Sequence, residues 1–233
     1  MRGLSRDARR FRESDTDAGS AYASGNSMRN VALAVMAIVL AAIIGVVLWS
    51  RSGPSPEQFA YIANPRLTRL PDRHMLVVEA RGDPNVVGAH AFKTLFTTYY
   101  TLDGVSRGRP PAPRARWPRA GETPKPEWKG YYALPVPDGV SLAASAGRTD
   151  LPTSIRTWEY GTVAEILHVG PYADEEADIR RLVDFIVTQG YRVIGDHEEE
   201  YVRGPGLFFA GDPEKYLTII RLRVQAADVA PNP

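Results

Sequence analysis

The chain has no cysteine in its 233 residues, which excludes disulfides, thiol catalysis, and cysteine-ligated zinc or iron–sulfur centres. It also lacks an excess of charge of either sign: 28 Lys and Arg against 27 Asp and Glu leave a net charge of +1. There is therefore no global electrostatic reason to expect nucleic acid as a partner. Histidine is scarce as well. His74, His90, His168 and His197 are scattered without paired ligand spacing, so neither a metal site nor a cofactor is expected. The sequence contains no Gly-rich phosphate loop and no Gly-x-Ser-x-Gly nucleophile elbow. What remains is an apolar fraction of 44%, enough for one ordinary domain with appendages.

The first appendage is a polar tail, residues 1–30. It is followed by VALAVMAIVLAAIIGVVLW over residues 31–49, a run without a charged residue. As a helix this run would span about 28 Å, the thickness of a bilayer core. It reads as a transmembrane helix contacting the lipid bilayer, hence a single-pass protein of the inner (cytoplasmic) membrane if bacterial. A cleaved signal peptide is disfavoured by the length of the tail and by the lack of a small-x-small site at Leu48-Trp49-Ser50-Arg51. Six arginines in the tail (Arg2, Arg6, Arg9, Arg10, Arg12, Arg29) against four acidic residues place the tail inside and the domain on the outer side.

Residues 50–64 form a linker, rich in Ser, Gly and Pro at its start. Beyond it, His74–Arg81 reads as a strand closed by Gly82-Asp83-Pro84, and Asn85–Leu102 as a helix with Val87, Ala91, Leu95 and Tyr99 on one stripe. Residues 105–129 carry Pro110, Pro111, Pro113, Pro118, Pro124 and Pro126 among seven basic residues. Such proline density argues for an exposed loop. Gly130–Val136 reads as a strand, and Ser154–Val169 as one long strand or two joined near Gly161. A helix follows, capped by Asp174, carrying Ile179, Leu182, Val183 and Ile186, and stopped by Gly190. Tyr191–Ile194 and His197–Val202 read as a hairpin through Gly195-Asp196, and Leu217–Val224 as a strand with one buried face. Residues 227–233 are a C-terminal tail. Strand, helix, strand thus recurs, which suggests a tandem duplication with a cleft between its halves.

Five segments recur in a recognisable order: His168-Val169-Gly170-Pro171-Tyr172, the helix near Ala173–Gln189, Gly190-Tyr191, Glu199-Glu200-Tyr201, and Thr218-Ile219-Ile220. In this they resemble the GyrI-like small-molecule-binding family, the effector-binding domains of AraC-type regulators. The resemblance covers residues 65–226 and is stronger in the second half. It implies an α+β fold of two strand-helix-strand-strand modules with pseudo-twofold symmetry and a pocket between them. It also implies a ligand that is a small organic compound, amphipathic or cationic. The chain departs from the family's regulators in having no DNA-binding helix pair, and in its Pro/Arg-rich loop.

In a strand, residues two apart share a face, so Glu199 and Tyr201 point together. By the family pattern that face lines the pocket, with Tyr172, Trp128, Tyr131, Tyr132 and Trp158 as candidate aromatic walls and no metal. A carboxylate beside aromatic rings suits a cation. Three readings stay open: a non-catalytic binding module; a small-molecule hydrolase with Glu199 as general base and Tyr201 assisting; and an interaction protein with an unidentified protein partner. Without the resemblance, Glu198-Glu199-Glu200 reads as a solvated acidic edge.

Overall fold

The computed structural model describes residues 36, 38, 40, 53–118, 124–142, 149–205 and 211–227. The chain divides into two compact units, Met1–Gly53 and Pro54–Pro233. Of the first, Met36, Ile38, Leu40 and Gly53 are described; the first three are helical and exposed. The rest of the apolar run 31–49 lies outside the described residues, as do most of residues 1–52. Among the described residues no helix is long and apolar enough to cross a membrane. The expected single-pass membrane localisation, with its bilayer contact and outward orientation, is corrected accordingly: an apolar run in sequence is not by itself a spanning helix, and no such helix is found among the described residues.

The second unit is an α+β domain built on one antiparallel sheet of eight strands. The strands are β1 (Arg66–Leu70), β2 (Arg73–Arg81), β3 (Arg114–Trp117), β4 (Lys129–Pro135), β5 (Thr153–Trp158), β6 (Gly161–Val169), β7 (Tyr191–Arg203) and β8 (Leu217–Ala226). Helix α1 (Pro84–Tyr99) joins β2 to β3, and α2 (Glu176–Thr188) joins β6 to β7. The order across the sheet is β1-β6-β8-β7-β3-β4-β2-β5. Exchanging β1–β4 with β5–β8 reverses this order and leaves it otherwise unchanged. The chain is thus two equivalent strand-strand-helix-strand-strand halves that meet where β3 pairs with β7.

Local chemistry explains most boundaries. The Asp83 side chain accepts from the Asn85 amide at 2.9 Å and Pro84 occupies the first turn of α1, satisfying one orphan amide and supplying none that needs a partner. Gly161, at φ +66°, makes the break between β5 and β6, and Gly190, at φ +75°, ends α2. Both helices pack on the same face of the sheet. Ala91, Leu95 and Tyr99 of α1 meet Leu76, Val78, Tyr132 and Leu134, while Leu182 and Ile186 of α2 meet Ala164, Ile166, Ile220 and Leu222. Each fully buried Leu or Ile contributes about 1.5–3 kcal/mol.

Three expectations change. Residues 114–117, inside the stretch read as an exposed loop, form the central strand β3, with Arg114, Ala115 and Trp117 buried. The prolines respect it, since Pro113 and Pro118 flank the strand and none lies within it. Residues 191–203 are one strand rather than a hairpin; Gly195-Asp196 sits in an irregularity between Val193 and His197, and both pieces pair with β8. Strand β8 is buried on both faces, because Thr218, Ile219, Ile220 and Arg221 are all covered.

Candidate functional site

The middle of the sheet carries two rungs, one register step apart and on opposite faces. On the helix face, Val78, Tyr132, Ala115, Glu199, Ile220 and Ile166 stand side by side across six strands. On the other face, Arg116, Glu198, Arg221, Glu165 and Arg66 do the same across five.

The second rung is a ladder of alternating charge. Arg116 reaches Glu198 at 2.7 Å, Arg221 reaches Glu165 at 2.9 Å and Glu198 at 3.4 Å, and Arg66 reaches Glu165 at 2.6 Å. Arg114 adds contacts to Glu200 at 3.1 Å and Glu198 at 3.7 Å. The Tyr160 hydroxyl donates to Glu198 at 2.9 Å. Burial alone would raise the Glu200 carboxyl, but Arg114 and Arg221 outweigh it and hold its pKa below the usual value. Burial would likewise lower the Arg221 pKa, and Glu200, Glu198 and Glu165 drive it up instead. Glu198 and Glu200 are therefore not a solvated edge: their charges are consumed by arginines.

Glu199 differs. Its side chain, 9% exposed, lies under the junction of the two halves, and among the described residues no Lys or Arg pairs with it. The Tyr201 hydroxyl donates to its Oε2 at 2.8 Å, and His197 Nε2 lies 2.8 Å from its Oε1. Glu175, immediately before α2, brings a second buried carboxyl to the same place. Burial first and the Glu199 charge second push the Glu175 carboxyl up to about 9. Its Oε1 makes no hydrogen bond of normal geometry, nor does the buried Oγ1 of Thr218, which stands directly across from Tyr201 on β8 and close enough to the Glu175 carboxyl to pull its pKa down against the larger effect of burial. The nearest donor atoms of Glu175, His197 and Glu199 all lie within 4.8 Å of one another, and they are the one such group among the described residues.

Aromatic rings enclose this acid group. Tyr201 makes edge contacts with Phe92 at 5.6 Å and Tyr172 at 5.4 Å, and Tyr172 packs on Tyr216 at 5.2 Å. Phe92 meets Tyr132 at 5.0 Å, and Trp117 lies 6.0 Å from His197. Burial and the Glu199 charge push the Tyr132 hydroxyl up to about 12 and raise that of Tyr201 still more strongly, so both remain hydrogen-bond donors at neutral pH. The Tyr132 hydroxyl has no partner. Gly130 permits this arrangement, since a Cβ there would lie 2.8 Å from the Tyr132 ring.

Of the residues expected at the site, Glu199, Tyr201 and Tyr172 come together. Trp128 stands one ring behind, 6.4 Å from Trp117. Tyr131 and Trp158 lie on the opposite face, where Lys129 and Arg116 pack over their rings at 4.6 and 4.0 Å. Of the adjacent candidates Tyr131 and Tyr132, strand parity puts Tyr132 at the site. Sequence reasoning missed Phe92, Trp117, Glu175 and His197. Strand alternation from Glu199 reaches His197 by the same step that reaches Tyr201; Glu175 had no such signal, because it enters from another element. His168 fixes the turn into α2, with its ring nitrogens 3.0 Å from Asp178 Oδ2 and from the Pro171 carbonyl oxygen.

No protein-family profile matches the sequence. No curated protein matches it. Solved structures do. An uncharacterised conserved protein from Listeria innocua is 25% identical with a TM-score of 0.61, over 73% of this chain and 96% of that one. A hydrolase from Listeria innocua is 25% identical with a TM-score of 0.60, over 72% and 96%. The EcmrR C-terminal domain shares the fold at 13% identity and a TM-score of 0.54, over 70% and 98%. At the level of fold the chain resembles the effector-binding domains.

Proposed function

We propose that the chain is a small-molecule-binding domain of the GyrI-like type, taking amphipathic or cationic organic compounds where its two halves meet. The observation that carries this is the contrast at Glu199: a buried carboxylate, faced by rings, the Tyr201 hydroxyl and the His197 imidazole, and paired with no Lys or Arg among the described residues. Ring faces and a carboxylate both attract a cation, and each good aromatic contact is worth about 1–2 kcal/mol when water is excluded. The reversal symmetry of the strand order supports two related modules, and the junction of such modules is a location where ligand sites recur.

The test compares two compounds of the same shape, phenyltrimethylammonium and its neutral analogue tert-butylbenzene, by thermal shift on the wild type and on Glu199→Gln. The cation should raise the melting temperature of the wild type and not of the variant, and the neutral compound should do less. Equal shifts for both compounds, or an unchanged response in Glu199→Gln, would sink the electrostatic reading.

A second reading, a hydrolase, draws on the likeness to the Listeria innocua hydrolase and on the Tyr201 hydroxyl that donates to Glu199. Glu199 would take a proton from water while Tyr201 orients it. In that case Glu199→Gln abolishes turnover while a neutral substrate still binds. A protein whose pocket binds nothing, serving only as an interaction module, would show no effect of the substitution on either property.

A further inference from the structure

We infer that Glu175, His197 and Glu199 form a binding site for a single divalent transition-metal ion. The three side chains come from two elements, the start of α2 and one face of β7, and present two carboxylates and one imidazole within 4.8 Å of one another. Such a mixed oxygen and nitrogen donor set suits zinc, manganese, cobalt or nickel; a hard magnesium or calcium site takes oxygen alone, and a copper(I) site takes sulfur.

Charge supplies the second argument. Two carboxyls buried side by side cannot both be charged without a counter-charge. Elsewhere in this domain the same problem is solved with arginine: Glu165, Glu198 and Glu200 share Arg66, Arg114, Arg116 and Arg221. At Glu175 and Glu199 no described Lys or Arg does that work, and one dication held by both carboxylates and the His197 imidazole would supply it.

The third argument is unfilled hydrogen-bonding capacity. Glu175 is 5% exposed and Thr218 0% exposed, and neither Oε1 of the first nor Oγ1 of the second makes a hydrogen bond of normal geometry. Buried polar atoms without partners are few in folded proteins and call for an explanation. Thr218, on the face of β8 that looks toward Tyr201, belongs to neither carboxylate's element, and its hydroxyl is close enough to the Glu175 carboxyl to act on it, so it borders the same spot. The surroundings are those of a supported metal site as well: the Tyr201 hydroxyl orients Glu199 through Oε2, leaving Oε1 toward His197, and Trp117 packs against the imidazole.

The experiment uses the full chain stripped with EDTA and dialysed, then titrated with zinc, manganese or magnesium chloride by calorimetry, with melting temperature followed in parallel. One ion per chain should bind, zinc more tightly than manganese by the usual divalent order, and magnesium should be inert. Glu175→Gln and His197→Gln should each weaken zinc by about tenfold or more, whereas His90→Gln, altering an exposed histidine paired with Asp150, should leave it unchanged. Glu175→Gln keeps Glu199, so the phenyltrimethylammonium response should survive in it. Loss of metal with retention of that response separates this site from the organic-cation reading, and metal binding without any organic response would leave this inference standing alone. No saturable binding of zinc or manganese, or equal affinity in the Glu175→Gln and His197→Gln variants, would overturn it.

Discussion

Glu198 and Glu199 are neighbours in one strand, with identical side chains and nearly identical burial, 2% and 9% exposed, yet the two faces of the sheet treat them in opposite ways. On the outer face Glu198 touches Arg116, Arg221, Arg114 and the Tyr160 hydroxyl. On the helix face Glu199 meets a tyrosine, a histidine and another carboxyl. The outer face has its counter-charges built in and is structural. The helix face buries two carboxyls with no Lys or Arg among the described residues to pair them, the condition under which a ligand can supply what the protein omits. What a glutamate does here depends on what stands one strand away, not on the glutamate.

The comparison is broken most severely at Arg221, which serves Glu165, Glu198 and Glu200 together. Removing one partner of a buried ion pair leaves uncompensated charge, at a cost of about 3–5 kcal/mol. Arg221→Ala should lose that much stability in urea denaturation, while the response to an organic cation in the protein that remains folded should persist. A loss under about 1 kcal/mol would mean the ladder behaves as a surface network.

A smaller and sharper effect separates the adjacent glutamates. Glu198→Gln gives up charged hydrogen bonds to two arginines and should cost about 2 kcal/mol. Glu199→Gln gives up charged contacts to the Tyr201 hydroxyl and the His197 imidazole but none to an arginine, so its loss should be smaller than that of Glu198→Gln. Measured side by side by chemical denaturation, equal losses would erase the distinction between the faces.

Much of this was legible in the sequence. Periodicity located both helices and the strands β2, β4, β6 and β8, and the ordered segments from His168 to Ile220 pointed to the fold and to Glu199 with Tyr201. The ladder was not legible, because it is made by register between strands far apart in the chain: Arg116 and Glu198 are 82 residues apart, and Arg66 and Glu165 are 99 apart. Proline density hid β3, whose four residues fit between Pro113 and Pro118. Which of the adjacent candidates Tyr131 and Tyr132 faces the site was not legible for a related reason. Side-chain parity in a strand is absolute once the register is known, and the sequence alone left the phase of β4 open.

The faces should also differ in how acid and base affect them, and this is the mildest of the tests. The Glu200 carboxyl is held below its ordinary 4.5 by Arg114 and Arg221 against the pull of burial. Its contribution is therefore complete above pH 4.5 and is lost as the pH falls through the lower folded-state value. Glu175 runs the other way. Its carboxyl, raised from 4.5 to about 9 by burial and by Glu199, keeps its proton in the fold at pH values where the unfolded chain has released it. Stability of metal-free protein should therefore decline as pH rises between those two values, by at most about 1.4 kcal/mol per pH unit from this one group. Denaturation midpoints measured from pH 3 to 9 should show the alkaline decline flattened by Glu175→Gln and the acid decline left intact. If Glu175→Gln leaves the alkaline limb unchanged, the helix face does not store its charge at Glu175, and the two faces are less different than their contacts make them.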